Sequence, residues 1–190
     1  MKKGLTLFLI SCLLCVAQVT YAAKSWKIIP EKSKLTFTAI QNNSPVTGQF
    51  KNFTGDIAFD PKDLNGSHVN IVIDMKSVTT SYGTVADTLK TPEWFDVNKY
   101  PQALFAADYI VEDAKAGHNA YMASGKLTIR DKTVPIVVHF VLDQYSDKLA
   151  HVKGDTEFAR TKFNVGTGEW AKTDAIKDNV KVEFDITAMS

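Results

Sequence analysis

The side chains best suited to acid–base catalysis or metal binding are scattered along this 190-residue sequence rather than grouped. No two histidines have the close spacing that zinc sites use, and no pair of carboxylates is marked by its neighbours as an acid–base couple. The histidines are His68, His118, His139 and His151. A Gly-x-Ser-x-Gly nucleophile motif and a phosphate-cradling glycine loop are both absent. The sequence therefore predicts no catalytic residue, no metal site and no cofactor, and a protein that is not an enzyme.

Three basic side chains have the chemistry to bind a phosphate group, namely Arg130, Lys132 and Arg160. An arginine can hold a phosphate through two parallel N–H donors. A single basic residue between polar neighbours is nevertheless more often a solvated surface charge. We therefore expect all three to lie on the surface, with a phosphate role as the alternative.

Residues 89–101 place three aromatic rings, Trp94, Phe95 and Tyr100, in what is otherwise a connection between strands. Connections are usually polar and exposed, so clustered aromatic rings suggest a segment that packs against an opening. Thr91 suits a helix N-cap and Pro92 suits the first helical position. The pattern predicts a short helical plug within a helical insertion around residues 81–97.

Residues 1–22 have the features of a secretory signal peptide. Lys2 and Lys3 precede an apolar run over residues 5–19, and we expect cleavage after Ala22. The run is shorter than the roughly 20 apolar residues of a membrane-spanning helix, so no stable membrane anchor is predicted. A lipoprotein modified at Cys12 is the other alternative.

Cleavage would leave a single domain, residues 23–190, that lacks cysteine and therefore disulfides. Removing Lys2 and Lys3 from the 22 basic residues leaves 20, against 21 acidic residues. This near balance gives no basic face for nucleic acid, which is not a predicted partner.

Alternating apolar and polar residues dominate the mature chain, which predicts an all-β protein. The clearest case is residues 180–188, where Val180, Val182, Phe184 and Ile186 alternate with polar residues. Eight to ten such runs, separated by short turns, fit an antiparallel barrel or a sandwich. The pattern by itself leaves both architectures open.

Five segments in order along the chain resemble the YceI-like family of exported lipid-binding and polyisoprenoid-binding proteins. They are residues 26–37, 46–61, 89–101, 125–136 and 160–165. The resemblance implies a lipocalin-like extended antiparallel β-barrel with an apolar tunnel, located in the periplasm. It also implies a long isoprenoid ligand of the polyprenyl phosphate or quinone type, held without catalysis, with carriage of the lipid as a further role.

Strand parity and this resemblance together predict the side chains that line the tunnel and contact the ligand. They are Phe37, Ile73, Phe105, Phe140, Phe158 and Phe184, with Trp94 and Phe95 at the plug. The alternative is that these residues are ordinary core and that the domain is a protein-interaction module without a ligand. The sequence leaves homodimer formation open.

Overall fold

The computed structural model describes residues 23–190, so the predicted signal peptide lies outside the described residues. Within this range the chain forms eleven strands and one α-helix. Their bounds are β1 Ser25–Ile28, β2 Lys34–Gln41, β3 Ser44–Phe50, β4 Phe53–Ala58, β5 His68–Asp74, β6 Val78–Thr80, α1 Gly83–Lys90, β7 Gln102–Glu112, β8 Ala120–Ile129, β9 Lys132–Tyr145, β10 Leu149–Ala159 and β11 Ile176–Met189.

Eight of the strands close into an antiparallel barrel in the order β1-β4-β5-β7-β8-β9-β10-β11, with β11 returning to β1. Closure is made at the carboxyl end of β11, where Ala188 pairs with Ile28 and Met189 with Lys27. The prediction of a lipocalin-like antiparallel barrel is confirmed, and the sandwich alternative is wrong.

Strand β11 has a second role, because it also supports the three strands outside the barrel order. Its earlier part, from Ile176 to Asp185, pairs with β2, which continues through β3 to β6. These strands extend one end of the barrel. A strand of 14 residues is long enough to pair with β2 over its earlier part and with β1 at its end.

The helical insertion is confirmed as α1, but the expected helix start at Thr91 is wrong. Thr91 is the C-cap of α1, and its N–H and Oγ1 both donate to Thr88 O. Its extended backbone, with φ −69° and ψ 166°, is what the residue before Pro92 favours. Residues 92–99 therefore continue as a series of turns, and the aromatic plug is a packed loop. Across residues 23–190, no helix combines the length and apolar character required to cross a bilayer.

Candidate ligand-binding cavity

The barrel encloses a cavity of about 270 Å³ that runs between its two ends. Its walls come from all eight barrel strands, from β2 and β3, and from the plug loop. Every lining side chain is apolar except those of Thr156 and Arg160. The Thr156 hydroxyl donates to Val137 O at 2.8 Å, so this group is satisfied inside the protein. A small volume spread along so many residues describes a narrow tunnel rather than a round chamber.

All eight of the predicted ligand-binding residues line this cavity. Those from strands are Phe37 on β2, Ile73 on β5, Phe105 on β7, Phe140 on β9, Phe158 on β10 and Phe184 on β11, and those from the plug are Trp94 and Phe95. Phe105 packs with the core clusters at both ends, so it lies midway along the tunnel. Their contact with a ligand stays a prediction.

Aromatic packing closes the end of the cavity near β1. Phe59 and Tyr121 meet edge to face with ring centroids 5.4 Å apart, and Tyr121 stacks on Phe140 at 5.3 Å. Trp26 lies beside Tyr145 and donates its indole N–H to Phe59 O at 2.8 Å. Sequence parity did not identify this closure, because these residues meet only when distant strands are brought together.

Two loops form a lid over the other end, and we use the word lid for residues 91–100 together with residues 160–171. The backbone N–H groups of Gly166 and Thr167 both donate to Glu93 O at 2.8 Å. Trp94 packs on Trp170 with centroids 5.8 Å apart. Phe163, in the second of these loops, is completely buried. These contacts hold the two loops as one unit.

Arg160, the first residue of the second lid loop, is buried with 2% of its surface exposed, so the expectation of a solvated surface charge is wrong. Its guanidinium donates only to backbone carbonyls, with distances between 2.9 and 3.3 Å. The acceptors are the carbonyls of Val165, Gly166, Trp170, Lys172, Ile176 and Lys177. All five N–H donors of an arginine are committed by such a set, which leaves none for a phosphate.

Burial lowers the pKa of Arg160 from its ordinary value, and the nearby Asp178 opposes this by raising it. An arginine stays charged in proteins because its ordinary pKa is so high. The lid therefore holds a positive charge whose direct partners are neutral carbonyls. Sequence reasoning missed this role because four of the six acceptors lie in residues 165–172, outside the α-helix and the strands.

Arg130 joins the lid to the β8–β9 turn, where it adopts a positive φ of 56°. Its Nη1 donates to Trp94 O at 2.8 Å and to Asn164 O at 2.6 Å, one carbonyl from each lid loop. Its guanidinium also lies over the ring of Tyr100. Arg130 is thus a structural tie rather than a free surface charge, whereas Lys132 is exposed, as expected, and pairs with Asp131 at 3.4 Å.

Two buried side-chain nitrogens in residues 23–190 have no hydrogen-bond partner in the protein, and both belong to the lid region. They are Trp94 Nε1 and Arg130 Nε. Trp94 is 7% exposed and lines the cavity. Buried polar groups are almost always satisfied in folded proteins, so an exception calls for a specific explanation.

The histidines are separated from one another and from the cavity. His68 lies 3.6 Å from Asp56, His139 lies 3.8 Å from Asp113, and His151 bridges two carboxylates. Among the described residues no three histidine, cysteine, aspartate or glutamate side chains are placed to hold a metal ion.

The closed barrel, its apolar interior and its lid define a lipocalin-like barrel protein with an internal cavity. The chain belongs to the YceI-like family, whose domain model matches residues 26–188. A UPF0312 protein of Vibrio parahaemolyticus is 29% identical over 125 residues, which cover 63% of this chain and 65% of the relative.

Solved structures share the fold. Burkholderia cenocepacia BcnA is 32% identical, with a TM-score of 0.78 over 84% of this chain and 98% of BcnA. A polyisoprenoid binding domain from Saccharophagus degradans, implicated in plant cell wall breakdown, has a TM-score of 0.68 at 15% identity, over 87% of this chain and 98% of that domain.

Proposed function

We propose that this protein binds a long-chain isoprenoid lipid without chemical conversion and carries it in the barrel. The observation that supports this most directly is the cavity, a narrow tunnel walled by hydrocarbon. Protein interiors are normally packed to crystal density with few voids larger than a water molecule. A continuous apolar space of about 270 Å³ is therefore a feature with a use. The polyisoprenoid binding domain from Saccharophagus degradans shares this fold.

Because the tail of such a lipid normally sits in a membrane, burial of its hydrocarbon in the tunnel adds little net affinity. Burying each CH₂ group contributes about 0.8 kcal/mol relative to water, but a membrane already provides most of this. The net affinity must then rest on the fit of the tail to the tunnel and on polar contacts to the head. The narrow cross-section would supply the fit, because Phe105 and Phe140 line the tunnel and branched isoprenoid units inside it would contact their rings.

We also propose that the protein acts in the periplasm after cleavage of the signal peptide behind Ala22. The intact mass of the protein recovered from the periplasm should correspond to a chain that begins at Ala23. A diacylated chain that begins at Cys12 would instead make the protein a lipoprotein.

Mass spectrometry of an organic extract of the purified protein tests the lipid proposal directly. We expect a stoichiometric isoprenoid lipid, which should return when the extracted protein is mixed with lipid vesicles. A protein that purifies without lipid and takes up none would favour the alternative, an interaction module with an unoccupied interior.

Two neighbouring residues on β7 provide a matched pair of variants. Phe105 lies midway along the tunnel, whereas Leu104 is 43% exposed on the outside of the barrel. Phe105→Trp should narrow the tunnel and reduce the lipid recovered, while Leu104→Trp adds the same ring outside and should change nothing. Equal lipid content in both variants, with both folded, would contradict binding inside the barrel.

A further inference from the structure

The lid end of the tunnel has hydrogen-bond donors left over and no acceptor to receive them. Trp94 Nε1 and Arg130 Nε are the two unpartnered buried side-chain atoms among residues 23–190, and both are donors. Trp94 lines the cavity, whereas Arg130 lies behind it. The missing partner is therefore an acceptor.

The opposite end of the same tunnel provides an internal comparison. Trp26 also lines the cavity and is also buried, but its indole N–H donates to Phe59 O at 2.8 Å. At this end of the tunnel a backbone carbonyl of the protein therefore accepts the hydrogen bond of the tryptophan indole N–H. At the lid end no residue between 23 and 190 does the same for Trp94.

The charge distribution at the lid end points the same way. The Arg160 guanidinium carbon lies 5.7 Å from the centre of the Trp94 ring, and its N–H groups contact neutral carbonyls. The carboxylate of Asp178 accepts hydrogen bonds from Thr161 rather than from the guanidinium. A buried positive charge with no carboxylate in contact favours an electron-rich group nearby.

We propose that Trp94 Nε1 donates a hydrogen bond to an oxygen acceptor in the head of the bound lipid. The head lies at the lid end, beside the positive charge of Arg160, and the tail extends towards Trp26. The ligand class is an apolar chain that ends in acceptor oxygens, as in a quinone carbonyl or a phosphate. This inference rests on the proposed lipid-binding function and adds the orientation of the lipid and the atom that recognises it.

The three tryptophans give three indole N–H resonances, which makes nuclear magnetic resonance a direct test. The probes are a ubiquinone with a tetraprenyl tail, geranylgeranyl phosphate, and phytane as a branched hydrocarbon without a head. The Trp94 resonance, assigned from Trp94→Phe, should move downfield with a headed probe and clearly less with phytane. An equal response to all three probes would overturn the proposal.

Affinity measurements test the same contact independently, through displacement of N-phenyl-naphthylamine from the cavity. Trp94→Phe keeps an aromatic ring and removes the donor. This substitution should weaken binding of the quinone probe about 2- to 10-fold, or binding of the phosphate probe about 10- to 100-fold. The larger loss applies to the phosphate because its hydrogen bond from the indole N–H would be charge-assisted. Phytane should bind Trp94→Phe as it binds the wild type. Whichever of the quinone and phosphate probes loses more affinity in Trp94→Phe identifies the head group that carries the acceptor oxygen.

Trp26→Phe is the matched control, because it removes an indole N–H from the far end of the same tunnel. It should change the affinities of all three probes by the same factor. A head-dependent loss in Trp26→Phe, with none in Trp94→Phe, would place the head at the wrong end for this proposal.

The outcomes separate this inference from the proposed function. If no probe binds the wild type, including phytane, lipid binding itself is wrong. If phytane and the headed probes bind and Trp94→Phe affects none of them selectively, the protein binds lipid but Trp94 does not recognise the head.

Discussion

The substitution Arg160→Met tests whether a single buried guanidinium holds the lid together. Methionine retains an apolar stem of similar length and removes the charge and every donor. The carbonyls that Arg160 now satisfies would remain in place without a partner, which differs from replacing both members of a buried ion pair by apolar groups.

The size of the effect follows from which acceptors stay buried. Val165, Gly166 and Ile176 are buried, so their carbonyls would lose a partner that water cannot readily replace. Trp170, Lys172 and Lys177 are partly or fully exposed, and water can take over their carbonyls. At about 1 to 1.5 kcal/mol for each lost buried bond, Arg160→Met should reduce the free energy of unfolding by about 3–5 kcal/mol.

Urea unfolding measures this loss, with Lys162→Met as the control. Lys162 is an exposed basic residue in the same short 3₁₀ turn, so its replacement should change the free energy of unfolding by less than about 0.5 kcal/mol. Amide hydrogen exchange over residues 160–176 should accelerate in Arg160→Met alone. If the free energy of unfolding of Arg160→Met lies within about 1 kcal/mol of the wild-type value, the carbonyl network does not stabilise the lid and the reasoning is refuted.

Two further predictions concern the barrel. A Cβ at Gly154 would collide with the backbone oxygen of His139, so Gly154→Ala should lower the free energy of unfolding by about 1–3 kcal/mol. Gly83 lies in open space at the start of α1, so Gly83→Ala should not destabilise the protein. Equal changes in the free energy of unfolding for the two variants would contradict this account. Burial raises the pKa of Tyr121, so above the ordinary tyrosine pKa of about 10 the unfolded chain loses its proton first and stability falls as pH rises. Unfolding free energies measured across that pH range should fall less steeply in Tyr121→Phe, and an unchanged slope would refute the assignment.

The inward-facing residues could be predicted from the sequence because a strand's pleat fixes which face each side chain occupies. Phe37 and Phe184 alternate with polar neighbours on both sides, and both line the cavity. Phe105 and Phe140 also line it, although the pattern around them is weaker because Leu104 and Val141 are apolar. The alternation of side chains between the two faces of a strand has a period of two residues and is local, so it is the same whichever strand pairs with it. The resemblance to the YceI-like family supplied the expectation that the shared face surrounds a tunnel.

The lid could not be predicted in the same way. The extended conformation of Thr91 before Pro92 ended α1 where an N-cap was expected. Arg160 reads as an isolated basic residue, yet folding wraps residues 165–177 around its guanidinium and buries it. Side chains that take their partners from irregular loops leave no periodic trace, and so the unpartnered Trp94 Nε1 has no signal in the sequence either.

The strand content, the inward faces and the place of the helical insertion follow from local patterns in the amino-acid sequence. Closure of the barrel does not follow from such patterns, because an alternating strand has the same local pattern in a barrel and in a sandwich. Here β11 continues past β2 far enough for Ala188 to reach Ile28, and this pairing joins the first and last strands of residues 23–190 into one barrel. The pairing spans 160 residues, and no local pattern can encode a contact between positions so far apart.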